Sequence, residues 1–238
     1  FRPRPKLHRL VFQLIPTTQA SLVALSARGV DITEVTPSQI PEARRIHGAH
    51  VAVTPINGAY FLLAQTTAAP LDDLRVRRAI AAAIDRPAIA RSSFGALKGA
   101  DSFLPPVFPW HDAAPRAASQ DFDAVGRNLA AAGWQKTGGR WMKHGKPLSV
   151  TITLAPERGT WMAVVEQESL RRAGIDASLK PCSLALFNAP NGPLRSGNFL
   201  LASTWWIGGA DPEQSVIFAC NQRGPNGNNS MNYCNCLL

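Results

Sequence analysis

The chain has 238 residues, of which 45% are hydrophobic, so it can bury one large core or two small ones. Lysine and arginine outnumber aspartate and glutamate by 25 to 16, which gives a formal net charge of +9. The cations are scattered over separate predicted helix faces and lack an aromatic-interleaved motif, which argues against nucleic-acid binding. No apolar run reaches the roughly 18 residues that a transmembrane helix needs.

The first 70 residues are predicted to alternate strands and helices. Leu10, Phe12 and Leu14 occupy alternate positions, as the buried face of a strand would require. Two helices are predicted, one that ends at Gly29 and one that begins at Pro37. The last two strands should form a hairpin, because they are joined by the tight-turn dipeptide Asn57-Gly58. The predicted strands are residues 6–15, 31–35, 50–55 and 59–65.

Residues 70–89 contain the clearest helix of the chain. Asp72 and Asp73 precede it, and an aspartate there can accept hydrogen bonds from the open N–H groups of the first turn. Apolar residues then recur at every fourth position, on one face: Val76, Ile80 and Ile84. Pro87 limits this helix or begins a second one.

The rest of the chain predicts an α/β lobe in which helices and strands alternate. A proline-stiffened connection comes first, at residues 102–109. A helix should end at Gly133, and a hairpin should turn at His144-Gly145. The predicted helices are 123–132, 160–172 and one broken near residue 190; the predicted strands are 149–154, 175–180 and 198–206.

Catalytic and metal-binding motifs are not evident. The histidines lack a carboxylate or cysteine partner at zinc-ligand spacing: His8, His47, His50, His111 and His144. No nucleophile elbow or phosphate-binding glycine loop is present, so the sequence predicts neither an enzyme nor a metal or cofactor.

One motif resembles the signature of the family 5 extracellular solute-binding proteins, the dipeptide-, oligopeptide- and nickel-binding components of ABC importers. The matching residues are Pro70, Asp72, Asp73, Val76, Arg77, Arg78, Ala79, Ile80, Ile84, Asp85 and Arg86. The resemblance extends from about residue 6 to about residue 235. It implies a periplasmic-binding-protein-like two-lobed α/β fold (type II) that captures a peptide or other small solute and performs no chemistry.

The resemblance also implies a partial chain. Residue 1 is not methionine and no signal peptide precedes mature-looking sequence, while Asn235 is followed by residues that depart from the family pattern. We expect residues 1–70 to be part of the first lobe with its crossover strands, and residues 71–238 to be the main ligand-binding lobe, incomplete at its C-terminus. The expected protein is a monomeric periplasmic or lipid-anchored carrier that works with an ABC permease and ATPase.

Five residues are candidate ligand contacts by this resemblance. Trp205 matches a tryptophan that ends a strand in peptide-binding members, and Gly208 falls where those members place the aspartate that holds the ligand's α-ammonium group. Asp211 and Trp206 are equally well explained as a helix cap and a core residue. Arg158 follows a strand where some members place a ligand-facing arginine, although a solvated loop arginine is the favoured interpretation.

The four cysteines suggest one disulfide and an oxidising compartment. Cys220 and Cys234 flank a Gly-, Pro- and Asn-rich loop, which gains from a covalent link, and some dipeptide-binding members have a similar pair. Cys236 competes with Cys234 for Cys220, and Cys182 is expected to be a buried thiol.

A second function stays open from the sequence. Some transcriptional regulators carry this fold as a ligand-sensing domain behind a helix-turn-helix, and the upstream sequence would distinguish them from transport proteins. Asn57 and Tyr60 are further candidates by their nearness to the lobe junction.

Overall fold

The structure, a computed structural model, describes residues 6–54, 56–100, 103–104, 111, 119–209, 211, 213–225 and 227–235, without the side chains of residues 157–159. The chain divides into two compact units, Phe1–Ala52 and Val53–Leu238. The prediction for residues 102–109 lies almost entirely outside the described residues.

The first unit contains two helices held by side-chain amides. Helix α1 (Thr18–Ser26) begins at Thr17, whose hydroxyl accepts a 3.1 Å hydrogen bond from Ala20 N. A 3₁₀ turn and helix α2 (Ile40–Ala43) follow, as predicted from Pro37. Gln19 Nε2 donates to Glu42 Oε1 at 3.2 Å and thereby links the two helices.

Three strands predicted for the N-terminal part are wrong. Residues 6–15, 31–35 and 50–54 have irregular backbone, and Phe12 and Leu14 are 89% and 96% exposed. Apolar alternation makes a strand only where a neighbouring strand accepts its N–H and C=O groups, and within the described residues these segments pair with none. The hairpin at Asn57-Gly58 is wrong for the same reason.

The second unit contains the remaining elements. Its helices are α3 (Leu74–Ala83), α4 (Arg86–Ser92), α5 (Phe122–Ala131), α6 (Pro156–Arg172), α7 (Leu184–Asn188), α8 (Pro193–Ser196) and α9 (Ser215–Phe218), with a 3₁₀ turn at Cys220–Gln222. Its strands are β1 (Gly58–Ala64), β2 (Gln135–Thr137), β3 (Arg140–Lys143), β4 (Lys146–Pro147), β5 (Ser149–Leu154), β6 (Asp176–Pro181) and β7 (Leu201–Ile207).

The larger sheet has the strand order β1-β7-β5-β6. β6 and β7 both run parallel to β5, whereas β1 runs antiparallel to β7. Buried side chains of β5 such as Ile152 join a core with those of α3, α5 and α6. This mixed α/β sheet confirms the predicted fold class and the predicted bounds of β5.

Helix α3 confirms the interpretation of the signature stretch. Asp73 Oδ1 accepts a 2.8 Å hydrogen bond from Arg75 N, which closes the first turn. The predicted apolar face is buried, with Val76, Ile80 and Ile84 between 1% and 7% exposed. Helix α4 begins at Asp85 and includes Pro87, so the proline starts a second helix.

A second sheet of order β2-β3-β4 contains the predicted hairpin. His144 and Gly145 both have positive φ, as the primed two-residue turn requires. Trp141 of this sheet is buried and donates from Nε1 to Ala173 O at 2.9 Å. Gly174 lies so close to Gly139 O that any Cβ would collide with it.

Candidate functional site

The strand order reverses at β5. From β5 the chain passes through α6 to β6 on one side, while β7 lies on the other side. In open α/β sheets, ligands bind outside the strand ends at such a reversal. β7 pairs with β5 as far as Ser203, and its last residues extend beyond β5 alongside β1.

Trp205 lies on the α6 face of this extension. It is half-buried, and its register partner on β1 is Tyr60. The Tyr60 ring meets Trp161 of α6 edge to face, with ring centroids 6.2 Å apart. Tyr60, Trp161 and Trp205 therefore form an aromatic wall, a name kept for these three residues below.

Trp206 lies on the opposite face of the sheet, because side chains alternate along a strand. It lines a small pocket of about 10 Å³ together with Asn57, Phe61, Phe103, Gly208 and Gln214. Phe103 stacks on Phe61 with centroids 4.8 Å apart and meets Phe218 at 4.9 Å. The two neighbouring tryptophans thus lie in different environments, on opposite faces of the sheet, and the sequence analysis did not distinguish them.

Gly208 is held against Asn57, which had been a candidate by nearness alone. Gly208 N donates to Asn57 O at 2.8 Å, and Asn57 Nδ2 donates to Gly209 O. A Cβ at Gly208 would lie 3.2 Å from Asn57 Nδ2, closer than ordinary contact. A carboxylate side chain at this position would have to displace the Asn57 amide.

Asp211 does not cap the next helix. Its Oδ1 accepts a 2.9 Å hydrogen bond from Glu213 N, whereas α9 begins after Gln214. The cap interpretation of Asp211 is therefore wrong, because the helix starts later than the Asp-Pro sequence suggests.

Arg158 belongs to the first turn of α6 and not to a loop. The helix begins at Pro156, four residues before the predicted start at Thr160. Proline is favoured at the first helical position because its missing N–H would have no helical partner there. The Arg158 side chain lies outside the described residues.

A buried polar group that the sequence analysis missed lies beside Ser203 of β7, two residues before Trp205. Glu166 of α6 is 2% exposed, and burial raises its pKa from 4.5 to about 7. The Ser203 hydroxyl of β7 lies near enough to oppose this shift but makes no hydrogen bond of normal geometry. The helical spacing of Met162, Glu166 and Leu170 could have revealed a glutamate on the buried face.

The C-terminal loop is closed by the predicted disulfide between Cys220 and Cys234, with Cα atoms 4.8 Å apart. Asn229 organises this loop: it is fully buried, and its Nδ2 donates to Tyr233 O at 2.6 Å. Gln65 Nε2 links the loop to the end of β1 by donating to Ser230 O at 3.2 Å. Cys236 lies outside the described residues, and Cys182 is half-buried, packed at the edge of a second core cluster.

Within the described part of the chain, no cluster of three or more histidine, cysteine, aspartate or glutamate side chains could hold a metal ion. None of the helices described there has the length and apolar character needed to cross a membrane.

Comparison with known proteins gives sequence relatives that are named oligopeptide-binding proteins. The oligopeptide-binding protein AppA of Bacillus subtilis is 26% identical over 235 residues, which are 93% of this chain and 42% of AppA. The oligopeptide-binding protein OppA of Mycobacterium bovis is 29% identical over 224 residues, 90% of this chain and 37% of OppA. The chain thus spans less than half the length of these relatives.

Solved structures give the same fold. AppA of Bacillus subtilis in complex with a nonapeptide has a TM-score of 0.79 at 23% identity, over 94% of this chain and 45% of AppA. NikA of Brucella suis in complex with Fe(III)-EDTA also scores 0.79 at 23% identity, over 97% of this chain and 47% of NikA.

A family profile gives the assignment. The profile described as bacterial extracellular solute-binding proteins, family 5 Middle, matches residues 1–228. Together with the α3 signature and the mixed sheet, this match shows that the chain belongs to family 5 of the bacterial extracellular solute-binding proteins.

Proposed function

We propose that this protein is the substrate-binding component of an ABC importer that captures a peptide or other small solute between two lobes. The aromatic wall at the carboxyl end of β5 carries the proposal, because it offers flat apolar surface where an α/β sheet binds ligands. The relatives described above are named oligopeptide-binding proteins, which favours a transport function over ligand sensing by a regulator.

The proposed mechanism is capture without chemistry. Closure of two lobes over the solute would present the complex to a membrane permease driven by an ATPase, and the protein would act as a monomer in the periplasm or anchored outside the membrane. In this scheme residues 1–70 contribute to the first lobe, and residues 71–238 form the main lobe. β1, which joins the larger sheet, would be one of the crossover strands.

The proposed class of ligand follows from the absence of a carboxylate side chain at Gly208. No carboxylate is available at this position to hold an α-ammonium group, and a buried ammonium without its partner costs about 3–5 kcal/mol. We therefore propose a solute that stacks on Trp205 and has no free α-ammonium group at Gly208, unless Asp211 takes that role. Arg158 remains a proposed contact by resemblance, and Trp206, which lies on the opposite face of the sheet from Trp205, is proposed to contribute less to binding.

A solute screen tests the function. The protein is titrated with di- to nonapeptides, the same peptides with acetylated N-termini, and the nickel–histidine complex, while tryptophan fluorescence and melting temperature are recorded. We expect saturable fluorescence changes and a raised melting temperature for at least one class, with acetylated peptides binding no more weakly than free ones. Unchanged signals across the whole panel would contradict solute binding.

A further inference from the structure

Three buried polar atoms lie on α6 and β7. Glu166 Oε2, Ser203 Oγ and Trp161 Nε1 are inaccessible to solvent and have no hydrogen-bond partner among the described residues. Ser203 is directly opposite Leu62 on β1, next along the same face to the Tyr60–Trp205 pair, and Trp161 packs on Tyr60. Ser203, and Glu166 beside it, therefore lie next to the aromatic wall along β7.

No charged side chain among the described residues shifts the pKa of Glu166. Neither β5, β7 nor α7 carries a titratable side chain, and the charged groups on the other packed elements do not shift its pKa. Among the side chains that the structure describes, those groups are Arg75, Arg77 and Arg78 of α3, Asp85, Arg86 and Arg91 at α4, Asp176 and Lys180 of β6, and Glu168, Arg171 and Arg172 of α6 itself. The site thus suits a neutral carboxylic acid and not an isolated carboxylate.

Ionisation of Glu166 must change the packing around it. A carboxylate left in this apolar layer needs water, and water reaches it if α6 and β7 separate near Ser203. The same two elements carry Trp161 and Trp205, so a local separation would displace two members of the aromatic wall.

We propose that Glu166 is a proton-binding positioning residue: its neutral carboxyl keeps α6 packed on β7, and its ionised form loosens the aromatic wall. The consequence for ligand affinity rests on the function proposed above, but proton binding and wall packing do not require a ligand. Burial places the pKa of Glu166 at about 7, so the change falls near neutral pH.

The sign of the effect on stability follows from the direction of the shift. The pKa of Glu166 is 4.5 without burial and about 7 in the folded chain, so the unfolded state loses this proton first as pH rises. Folding is therefore favoured most at low pH with respect to this group, and that contribution is lost between about pH 4.5 and pH 7.

Urea unfolding and acrylamide quenching of tryptophan fluorescence test the proposal on the ligand-free protein from pH 4.5 to 8.5. Glu166→Gln keeps the shape of the neutral side chain but cannot ionise. Glu168→Gln is the matched control at an exposed position of the same helix. Relative to Glu166→Gln, the unfolding equilibrium constant of the unmodified protein should rise roughly a hundredfold across this range. Its quenching constant should rise above pH 7, whereas that of Glu166→Gln stays constant.

Several outcomes overturn the proposal. Parallel stability curves for the protein and Glu166→Gln would show that Glu166 binds no proton near neutral pH, and an equal effect of Glu168→Gln would remove its specificity. A stability change without a change in quenching would refute the positioning role. If Glu166→Gln does not fold, Ser203→Ala is used instead. The Ser203 hydroxyl lowers the pKa of Glu166, so its loss should move the midpoint of the pH-dependent quenching change to higher pH. An unchanged midpoint would contradict the proposal.

Discussion

Trp205 and Trp206 are neighbours in sequence but face opposite sides of the sheet. Trp205 meets Tyr60 and the α6 side, whereas Trp206 lines the small pocket with Phe61. Both side chains are half-buried, so burial alone does not separate a ligand contact from a core residue. The two positions are therefore matched probes of the two faces.

Trp205→Ala should weaken solute binding by roughly 1–3 kcal/mol while the fold is largely retained, because the uncovered part of a half-buried aromatic ring contributes mainly to the bound state. Trp206→Ala is the control and should change affinity less. Affinity and thermal melting are measured on both variants. A loss of about 3–5 kcal/mol of stability at Trp205 with unchanged affinity would assign Trp205 to the core.

The residues that could be predicted are those whose role depends on local pattern. Asp73, the α3 apolar face and the Cys220–Cys234 pair could be inferred from spacing, composition or family resemblance. Asn229 and Gln65 could not be inferred, since their partners lie in segments that come together only in the folded chain. Glu166 could be predicted in part: its place on the buried face of a helix follows from the sequence, but its burial beside Ser203 without a hydrogen-bond partner does not.

At the scale of elements, α3 shows how its first turn is stabilised. Arg75 donates to Asp73 Oδ2 at 2.6 Å, and this hydrogen bond lowers the pKa of Asp73 from 3.8 to about 2. Because the Arg75 side chain is 50% exposed, solvent screening limits what the ion pair adds. The N-cap is therefore the main stabilising role of Asp73.

Asp73→Ala should destabilise the protein by about 1 kcal/mol, since the first-turn N–H of Arg75 loses its acceptor. Asp72→Ala, at an exposed neighbouring position, should change stability by less than about 0.5 kcal/mol. Urea unfolding at neutral pH gives both values. The difference between the protein and Asp73→Ala should shrink as pH falls from 3.8 to about 2, where Asp73 takes up its proton. Equal effects of the two substitutions would refute the cap.

The C-terminal loop is an element without helix or strand over most of its length. The disulfide joins residues 14 apart and encloses the Asn229 hydrogen bonds. Such a link stabilises chiefly by restricting the unfolded chain.

Substitution of both Cys220 and Cys234 by serine should lower the free energy of unfolding by about 3 kcal/mol in the chain-entropy description. Cys182→Ser serves as the control for loss of a thiol elsewhere. Melting of the three proteins is compared after peptide mapping without reductant. Free thiols at both Cys220 and Cys234 would contradict the disulfide. Equal melting temperatures of the double variant and the unsubstituted protein would contradict its stabilising role.

Element prediction failed where pairing is non-local. Residues 6–15 and residues 149–154 both carry apolar side chains at alternate positions, yet only the second segment is a strand, because β6 and β7 flank it. β1 was placed well, but its partner proved to be β7, some 140 residues later, and not the segment before Asn57. A sequence pattern indicates which face is apolar and leaves the partner undetermined.

At the scale of the whole molecule, the chain matches its relatives over nearly all of its own length and less than half of theirs. The two compact units differ in content: the first has two short helices, and the second has both sheets and the aromatic wall. The proposed site thus lies within the second unit.

Calorimetric titration of the 238-residue protein with a pool of tripeptides, acetylated and free, tests solute binding most directly. We predict saturable binding with one site per chain, lost or weakened at least tenfold in Trp205→Ala and retained in Trp206→Ala. Absence of binding heat with either pool, from protein shown to be folded by a cooperative melt, would contradict the account.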